Sequence, residues 1–381
     1  MDVAELRRLR RSVQGLHAPF DVSAPEVVRR FVAVQSQEFL PAQWGLAARV
    51  PIAQRPDASA VASALDRGEI VRTHVLRPTW HFLHRDDARW VLELSAERVH
   101  RANATYYRRT GMEGDAAARA LDVVAESLAG GHRTRAELTA ALEAAGMPLA
   151  GLSFGYLLML AELERIAISG ANAGKQRTYA AFDERVPASA PRPRDEALAE
   201  LAARFIASRS PVTDRDFAAW SGFTLGDART AFAAAAEMAA AHGGAIETVE
   251  VDGVVHWLDA ASVAAALERD DGDPSPAESP RVDLLQAYDE YIMGYAAPRG
   301  YLLPPGLERV SAEFPLHSLT IDGVMSGRWA PVVQGRRATA RVVPWRPFSP
   351  AEVEALTASV GELERFLEQP VTLAVEEPVA P

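Results

Sequence analysis

Helix-like and strand-like periodicities alternate along this chain in a repeated order: a helix, a short turn, a longer helix, and then two short runs with the every-second-residue pattern of β-strands. The clearest copy covers residues 132–182, with predicted helices Thr134–Ala145 and Ser153–Ala167. Two strand-like runs, Ile166–Ile168 and Arg177–Phe182, then flank a glycine-containing loop, which is typical of a hairpin. The order of elements predicts a helix–turn–helix followed by a two-stranded ribbon.

The same order of elements occurs in two further parts of the chain. Residues 195–258 contain it in full and end with a hairpin around Asp252-Gly253, a dipeptide that favours tight two-residue turns. The N-terminal hundred residues contain a looser copy, for which we expect a helix Pro25–Val50 interrupted near Pro41, a helix Ala58–Arg67 and a ribbon Ile70–Leu83. A helix–turn–helix with such a ribbon is a winged helix, whose second helix can enter the major groove of DNA. Winged helices also dock onto proteins, so a protein-interaction scaffold is an alternative.

Capping boxes mark several helix starts. In a capping box a Ser or Thr side chain covers the backbone amide three residues on, and an acidic side chain reaches back to the cap. Five candidates stand in the sequence: Ser23–Glu26, Thr134–Glu137, Thr213–Asp216, Thr224–Asp227 and Ser349–Glu352. Each predicts a helix that begins directly after its Ser or Thr.

The chain changes character after a polar, proline-rich linker at Gly272–Pro280. A second Asp-Gly hairpin is expected between strands Leu316–Ile321 and Val324–Trp329, followed by a strand Ala338–Val343 and a final helix from Pro350. We therefore predict an α+β, mainly α, fold in which tandem winged-helix domains are followed by a C-terminal β-barrel-like domain. The expected units are residues 1–115, 116–190, 191–270 and 281–381.

Composition removes several classes of function. The chain has no cysteine, which excludes disulfides, thiolate nucleophiles and cysteine-held zinc or iron–sulfur centres. Lys175 is the only lysine, so an amine nucleophile can come only from it or from the N-terminus. The net charge of −11 opposes nucleic-acid binding, but most of it lies in residues 268–278 and 351–381, which leaves the rest of the chain close to neutral. No apolar run is long enough for a membrane span, and we expect a cytoplasmic protein.

Four segments of the chain match the elements of a known family in their order. They are Gln35-Ser-Gln37 ahead of Leu46-Ala-Ala-Arg49, Arg77-Pro-Thr-Trp-His81, Tyr288-Asp-Glu-Tyr-Ile-Met-Gly-Tyr295 and Ile321-Asp-Gly-Val-Met-Ser-Gly-Arg-Trp329. Together they resemble the AlkZ-like family of winged-helix DNA glycosylases, except that Pro78 stands where a Gly is usual and His317 stands where apolar residues are common. The resemblance implies tandem winged helices closed by a β-barrel, a cleft for duplex DNA, and hydrolysis of the N-glycosidic bond of alkylated bases. It also implies that Gln35 and Gln37 are the catalytic element.

Glutamine at these two positions fits one kind of chemistry. A purine alkylated at N3 or N7 is cationic and leaves easily, so the enzyme needs a water held at the sugar carbon more than it needs an acid. A neutral amide can orient water but is no useful base, so we expect Gln35 and Gln37 to position water or substrate, with Glu38 as an alternative base. On a helix the two glutamines would point about 200° apart, and both would face one cleft only where the helix bends or ends near Pro41. Otherwise one glutamine lines the cleft and the other caps backbone groups.

Three further groups are candidate DNA-binding residues. They are Arg77, Thr79 and His81 on one face of the predicted ribbon, Arg101, Arg108 and Arg109 near tyrosines, and the segment residues Tyr288, Asp289 and Tyr291. Each group has a structural alternative: a packed histidine, a solvated helix face, and buried hydrogen bonding by the tyrosines. Asp289 would either balance cleft arginines or stabilise the sugar cation.

These features together predict a monofunctional DNA glycosylase that excises alkylated purines, with bulky or crosslinked adducts as a further substrate class. Its expected partner is double-stranded DNA with alkylated bases, which would place the protein at the nucleoid. No metal, organic cofactor or obligate protein partner is implied. The alternatives are a non-catalytic winged-helix DNA-binding protein or transcription regulator, and the protein scaffold.

Overall fold

The computed structural model describes residues 1–270, 280–307 and 317–380, and the fold is a mixture of α-helices and β-strands. The helices are α1 Val3–Val13, α2 Ala24–Phe31, α3 Phe39–Ala47, α4 Ala58–Asp66, α5 Arg85–Thr110, α6 Gly114–Leu128, α7 Arg135–Ala144, α8 Gly151–Leu163, α9 Phe182–Arg185, α10 Arg194–Arg209, α11 Asp214–Ser221, α12 Leu225–Ala241, α13 Ala260–Asp270, α14 Glu290–Met293 and α15 Pro350–Leu367. The strands are β1 Ala33–Gln35, β2 Ile70–Val75, β3 Arg77–His84, β4 Arg133–Thr134, β5 Ala167–Ser169, β6 Thr178–Ala181, β7 Ile246–Val251, β8 Val254–Asp259, β9 Val282–Leu284, β10 Ser318–Ile321, β11 Val324–Gln334, β12 Arg337–Pro344 and β13 Val371–Val375. No helix of the described ranges is long and apolar enough to cross a membrane.

The N-terminal sheet contains a strand that was not expected. The ribbon β2–β3 is present as predicted, but β1 pairs with the other edge of β3 and makes β3 the central strand. The predicted helix Pro25–Val50 is therefore wrong: α2 ends at Phe31, and Val32 has a positive φ of 65°. The run Phe31–Val34 is apolar and buried on every side, and periodicity alone does not separate a buried strand from a buried helix in such a run.

Pro78 lies within β3, the central strand, and not at a sheet edge. The register between β2 and β3 shifts between His74 and Val75, so that His74 faces Trp80 and Val75 faces Arg77. Pro78 falls in the interval that this bulge leaves without a partner, where a missing N–H costs no ladder hydrogen bond.

Both internal copies of the repeated pattern are present. In the first, α7 and α8 precede β5 and β6, which pair antiparallel, and the short strand β4 adds to the far side of β6. In the second, α11 and α12 precede the hairpin β7–β8, whose turn residues Asp252 and Gly253 have φ of 48° and 75°. Four of the five expected capping boxes form, whereas at Ser23 no side-chain cap is made.

The C-terminal strands form one five-stranded sheet in the order β13-β12-β11-β10-β9. The hairpin β10–β11 turns at Asp322-Gly323 as predicted, and α15 begins directly after its cap Ser349. The final strand β13 was not predicted, and it pairs parallel with β12. Across the described ranges the sheet is curled and open at β9 and β13, so it is a half-barrel and not a closed barrel. Of the predicted linker, only Pro280 lies within the described residues. Leu316, the first residue of the strand predicted before the Asp322-Gly323 turn, also lies outside them.

The N-terminal elements pack directly on the C-terminal sheet. One hydrophobic core contains Val34 of β1 together with Leu319 of β10, and a second contains Val71 of β2 together with Tyr291 of α14. A third core, between α5 and β6, holds the residues of the first internal copy. The packing brings β1 and β3 against the segment 285–291, where the candidate site lies.

Candidate active site

The two glutamines stand at the end of an extended strand. Gln35 is the last residue of β1 and lies opposite His81 of β3, while Gln37 follows just before α3 begins at Phe39. Because Gln35 is not helical, the wide angle between the side chains that a helix would impose does not arise. Gln37 lies outside the strand, so the direction of its side chain is shown by its contact and not by strand alternation.

Both glutamine side chains are turned toward β3. The Oε1 atom of Gln35 accepts a hydrogen bond of 2.9 Å from Arg77 Nη2, and that atom must be the oxygen because a guanidinium only donates. Gln37 is exposed, and its Oε1 lies 3.4 Å from the backbone N of Trp80. Each amide oxygen has a second lone pair that can accept a hydrogen bond from water. Gln35 itself is only 3% exposed.

Arg77 is a cation held close to the Gln35 amide. Burial lowers the pKa of its guanidinium, and the nearby charge of Glu290 acts in the opposite direction. Its Nε is buried and has no hydrogen-bond partner among the described residues. Arg77 thus has a donor available beyond the one that it gives to Gln35.

His81 lies four residues after Arg77 on β3, beyond the irregularity, and is completely buried. Its Nδ1 donates to the carbonyl oxygen of Thr79 at 2.9 Å, which leaves Nε2 as an acceptor. Burial first, and then the charge of Arg77, lower the pKa of His81 to about 3, so the ring is neutral at physiological pH. Neither His81 Nε2 nor Thr79 Oγ1 has a partner in the part of the chain that the structure describes. This geometry is that of a packed, hydrogen-bonded histidine, the structural alternative for His81.

Asp289 forms a buried ion pair with Arg49. Their shortest contact is 2.7 Å, between Arg49 Nη2 and Asp289 Oδ1, and the two side chains are 3% and 1% exposed. Burial alone would lower the pKa of Arg49, but the carboxylate of Asp289 raises it. Asp289 thus balances the charge of a buried arginine.

Tyr288 and Tyr291 stand in different surroundings. Tyr291 is buried, its hydroxyl donates to the Gly323 carbonyl at 3.2 Å, and burial raises its pKa well above the usual range. Tyr288 is half-buried and has a positive φ of 64°. Of the pair, only Tyr288 has side-chain surface that a ligand can reach.

The three arginines of α5 lie on its exposed face. Arg101 donates to Glu97 on the preceding turn at 3.2 Å, and Arg108 donates to Thr105 at 3.1 Å. Arg109 is exposed as well. These contacts are local to the helix, so the structure does not join the three residues to the glutamines.

Glu38, the alternative base, pairs with His317. Its Oε2 lies 3.0 Å from His317 Nε2, and its side chain is 41% exposed. An acidic group is therefore present beside Gln37, with an imidazole as its partner. In the described ranges, no group of three or more His, Cys, Asp or Glu residues is arranged to hold a metal ion.

Sequence reasoning missed two residues that touch this site, Glu290 and Arg209. Glu290 Oε1 accepts a hydrogen bond of 3.0 Å from the backbone N of Gln35, and Arg209 Nη2 lies 2.7 Å from Glu290 Oε2. Glu290 lies inside the Tyr288–Tyr295 segment, between two residues that the sequence analysis names as candidates, so that motif could have indicated it. Nothing in the sequence marks Arg209, which ends the helix α10.

The site combines neutral amides, a cation and buried carboxylates at the end of one strand, and comparison with known proteins gives the class. The model of the DNA glycosylase AlkZ-like family matches residues 28–366, which is most of the chain. The chain therefore belongs to the AlkZ-like DNA glycosylase family, and its substrate is DNA. The Streptomyces sahachiroi DNA glycosylase AlkZ has a similar structure, with a TM-score of 0.75 at 20% sequence identity over 99% of this chain and 100% of that one. No curated protein sequence matches the chain significantly. Family membership favours an enzyme over the non-catalytic regulator and the scaffold.

Proposed function

We propose that the protein is a monofunctional glycosylase that hydrolyses the N-glycosidic bond of alkylated purines in duplex DNA, with Gln35 and Gln37 as the catalytic pair. The observation that carries the proposal is the placement of both amides at one strand end, one held by Arg77 and the other exposed. Bulky or crosslinked adducts form a second substrate class of the same chemistry, since their bases are also alkylated and cationic.

The chemistry follows from the groups present. A cationic purine needs no proton from the enzyme to leave, so the demanding step is delivery of water to the sugar carbon. The exposed Gln37 oxygen can accept a hydrogen bond from that water and aim its lone pair, while Arg77 fixes the Gln35 amide beside it. Gln35 and Gln37 are too weakly basic to deprotonate water, which limits the reaction to bases that already leave readily. Glu38 stays available as the proton acceptor, because its side chain is partly exposed.

The approach of DNA is assigned to the repeated elements. We propose that α7–α8 with β5–β6 and α11–α12 with β7–β8 act as winged helices, within the units 116–190 and 191–270. The N-terminal unit 1–115 would supply the catalytic strand, and 281–381 would support it from behind. Arg101, Arg108 and Arg109 are exposed on α5 and suit phosphate contacts, as does the partly exposed Arg77. His81, Asp289 and Tyr291 are buried and would support the site without contacting DNA, whereas the partly exposed Thr79 and Tyr288 have surface to meet it.

Base release under single-turnover conditions tests the proposal. The substrates are duplex oligonucleotides that carry N7-methylguanine, N3-methyladenine or an interstrand crosslink. Gln35→Ala and Gln37→Ala should each slow release by about 100-fold or more, since the loss of one preorganised hydrogen-bonding side chain costs on the order of 10²–10³ in rate. DNA affinity should stay within a few-fold of the wild-type value.

Gln54 offers a matched control, because it is an exposed glutamine outside the site, and Gln54→Ala should release bases at the wild-type rate. The product strand should remain intact until it is heated in alkali, and Lys175→Ala should not alter this. Wild-type rates in both active-site variants, or release from none of the three substrates, would contradict the proposal.

A further inference from the structure

The strand that carries Gln35 has one edge that no other strand covers. β1 pairs with β3 along its inner edge, and it is the outermost strand of its sheet. Three backbone groups of β1 that point outward are Ala33 O, Gln35 N and Gln35 O. A buried backbone group of this kind must find a partner, because leaving it unpaired costs about as much as a lost hydrogen bond.

Side chains from distant parts of the chain supply those partners. Gln35 N donates to Glu290 Oε1 at 3.0 Å, and Ala33 O accepts from Arg209 Nη2 at 3.3 Å. Gln35 O accepts from Gln286 Nε2 at 3.4 Å. Glu290 and Arg209 thus occupy the position of a missing neighbouring strand. Arg209 replaces the N–H that such a strand would donate to Ala33 O, and Glu290 replaces the C=O that would accept from Gln35 N.

The two side chains also hold each other. Arg209 Nη2 and Nε lie 2.7 and 3.2 Å from Glu290 Oε2, and Trp220 Nε1 donates to the same oxygen at 3.1 Å. Glu290 is 1% exposed and Arg209 is fully buried. One carboxylate oxygen is therefore given entirely to Gln35, while the other is fixed by three donors. A planar guanidinium suits this arrangement, because its fork fixes direction as well as distance.

The consequence falls on the Gln35 amide. Its backbone N and O are held on the outer side of β1 by Glu290 and Gln286, and its side chain is held by Arg77. The next residue, Ser36, bonds on the inner side, where its N donates to the Trp80 carbonyl. The carboxylate of Glu290 also lies close enough to Arg77 to favour its charged form. Preorganisation of this kind raises the rate of a bound substrate without adding to its affinity.

We propose that Glu290 and Arg209 are positioning residues for the reaction: they take the place of a neighbouring strand at Gln35 and act through it without touching the substrate. The inference rests on the proposed function, because it assumes that Gln35 takes part in catalysis. It adds two residues to the machinery, and one of them lies in the helix α10, far along the chain from the catalytic strand.

Substitution of Glu290 in two backgrounds tests the inference. Glu290→Gln keeps the size of the side chain, but an amide cannot accept from Gln35 N and from all the Oε2 donors without turning an NH₂ group toward one of them. We expect single-turnover release to slow by about tenfold or more, with DNA affinity within about threefold, since a small misplacement can cost on the order of 10²-fold in rate. In the Gln35→Ala background the same substitution should change the rate by less than twofold, because the residue through which it acts is gone.

A second substitution and a control separate positioning from folding. Arg209→Lys keeps the positive charge but loses the paired N–H donors of the guanidinium. Its release rate should lie between those of the wild-type enzyme and of Glu290→Gln. Asp87→Asn breaks the ion pair with Arg204 of the same helix α10 and should leave the rate of the folded enzyme unchanged. Folding of each variant is checked by circular dichroism before the rates are compared.

The outcomes divide cleanly. If Glu290→Gln releases bases at the wild-type rate, the positioning role is refuted while Gln35 stays catalytic. The same holds if Glu290→Gln slows the Gln35→Ala enzyme by the same factor as it slows the wild-type enzyme. If Gln35→Ala alone has the wild-type rate, the proposed catalytic pair fails and the positioning role fails with it.

Discussion

Two hairpins of this protein have the same turn in different surroundings, which makes a sharp test of how the C-terminal sheet is held. Asp252-Gly253 and Asp322-Gly323 have nearly identical backbones, with φ of 75° at Gly253 and 76° at Gly323. A Cβ atom added at Gly253 would meet nothing within 4 Å. One added at Gly323 would lie 2.7 Å from the Tyr291 hydroxyl, 3.1 Å from Arg7 Cγ and closer still to Arg11 Cδ.

The expected magnitudes follow from these distances. Alanine at either position has the left-handed penalty of about 1–2 kcal/mol, and the change in unfolded-chain entropy is the same for both. At Gly323 the neighbours cannot withdraw freely, because Tyr291 is buried and Arg11 is paired with Asp283 at 3.3 Å. Overpacking of this kind adds about 1–3 kcal/mol. Gly323→Ala should therefore lower the free energy of unfolding by about 2–5 kcal/mol, against about 1–2 kcal/mol for Gly253→Ala.

Urea unfolding of the two variants, followed by circular dichroism, measures the difference directly. Because the intrinsic turn penalty is common to both, only the packing at Tyr291 and Arg11 separates them. Equal losses in the two variants would mean that the turn at Asp322-Gly323 is not packed against α1 and Tyr291 as described. A loss that is larger for Gly253→Ala would refute the reasoning outright.

Two further predictions concern buried charge. Asp289→Ala leaves the Arg49 guanidinium buried without its carboxylate. It should lower the free energy of unfolding, measured by urea titration, by about 3–5 kcal/mol. Glu69→Ala, at the exposed ion pair with Arg67, is the control and should leave the urea midpoint unchanged. His81 has a pKa lowered from 6.5 to about 3, so the unfolded chain takes up a proton below pH 6.5 that the folded protein refuses. Stability should therefore fall as the pH falls from about 6.5 to about 3, by at most about 1.4 kcal/mol per pH unit from this group. His81→Gln should flatten that slope, and the exposed His242 gives the control His242→Gln; an unchanged slope in His81→Gln would contradict the burial of His81 as a neutral ring.

Features encoded by neighbouring residues were predictable, and those made by distant residues were not. The Asp-Gly turns and four capping boxes form as expected, because their hydrogen bonds join residues at most three positions apart. At Ser23 the sequence pattern is present without the bond, so the pattern alone does not ensure it. The strand β1 was missed because its pairing with β3 joins residues that lie far apart in the sequence.

The candidate site shows the same division. Gln35, Gln37 and Arg77 could be named from their motifs, and the structure brings Gln35 and Arg77 into contact. Arg209 could not be named, because an arginine at the end of a helix usually interacts with solvent or with the helix end. Only the path of the chain shows that it faces a carboxylate 81 positions further along. Burial of His81 likewise depends on packing that no local pattern records.

The pairing of the outer edge of β1 with side chains from distant parts of the chain has a consequence for biosynthesis. The ribosome makes Gln35 first, and the carboxylate that pairs with its outer edge follows only 255 residues later, at Glu290. Until then the strand presents unpaired backbone groups, the kind of surface on which nascent chains adhere to one another. A product truncated before residue 290 would lack the carboxylate that pairs with Gln35 N, so β1 would keep an unpaired outer edge.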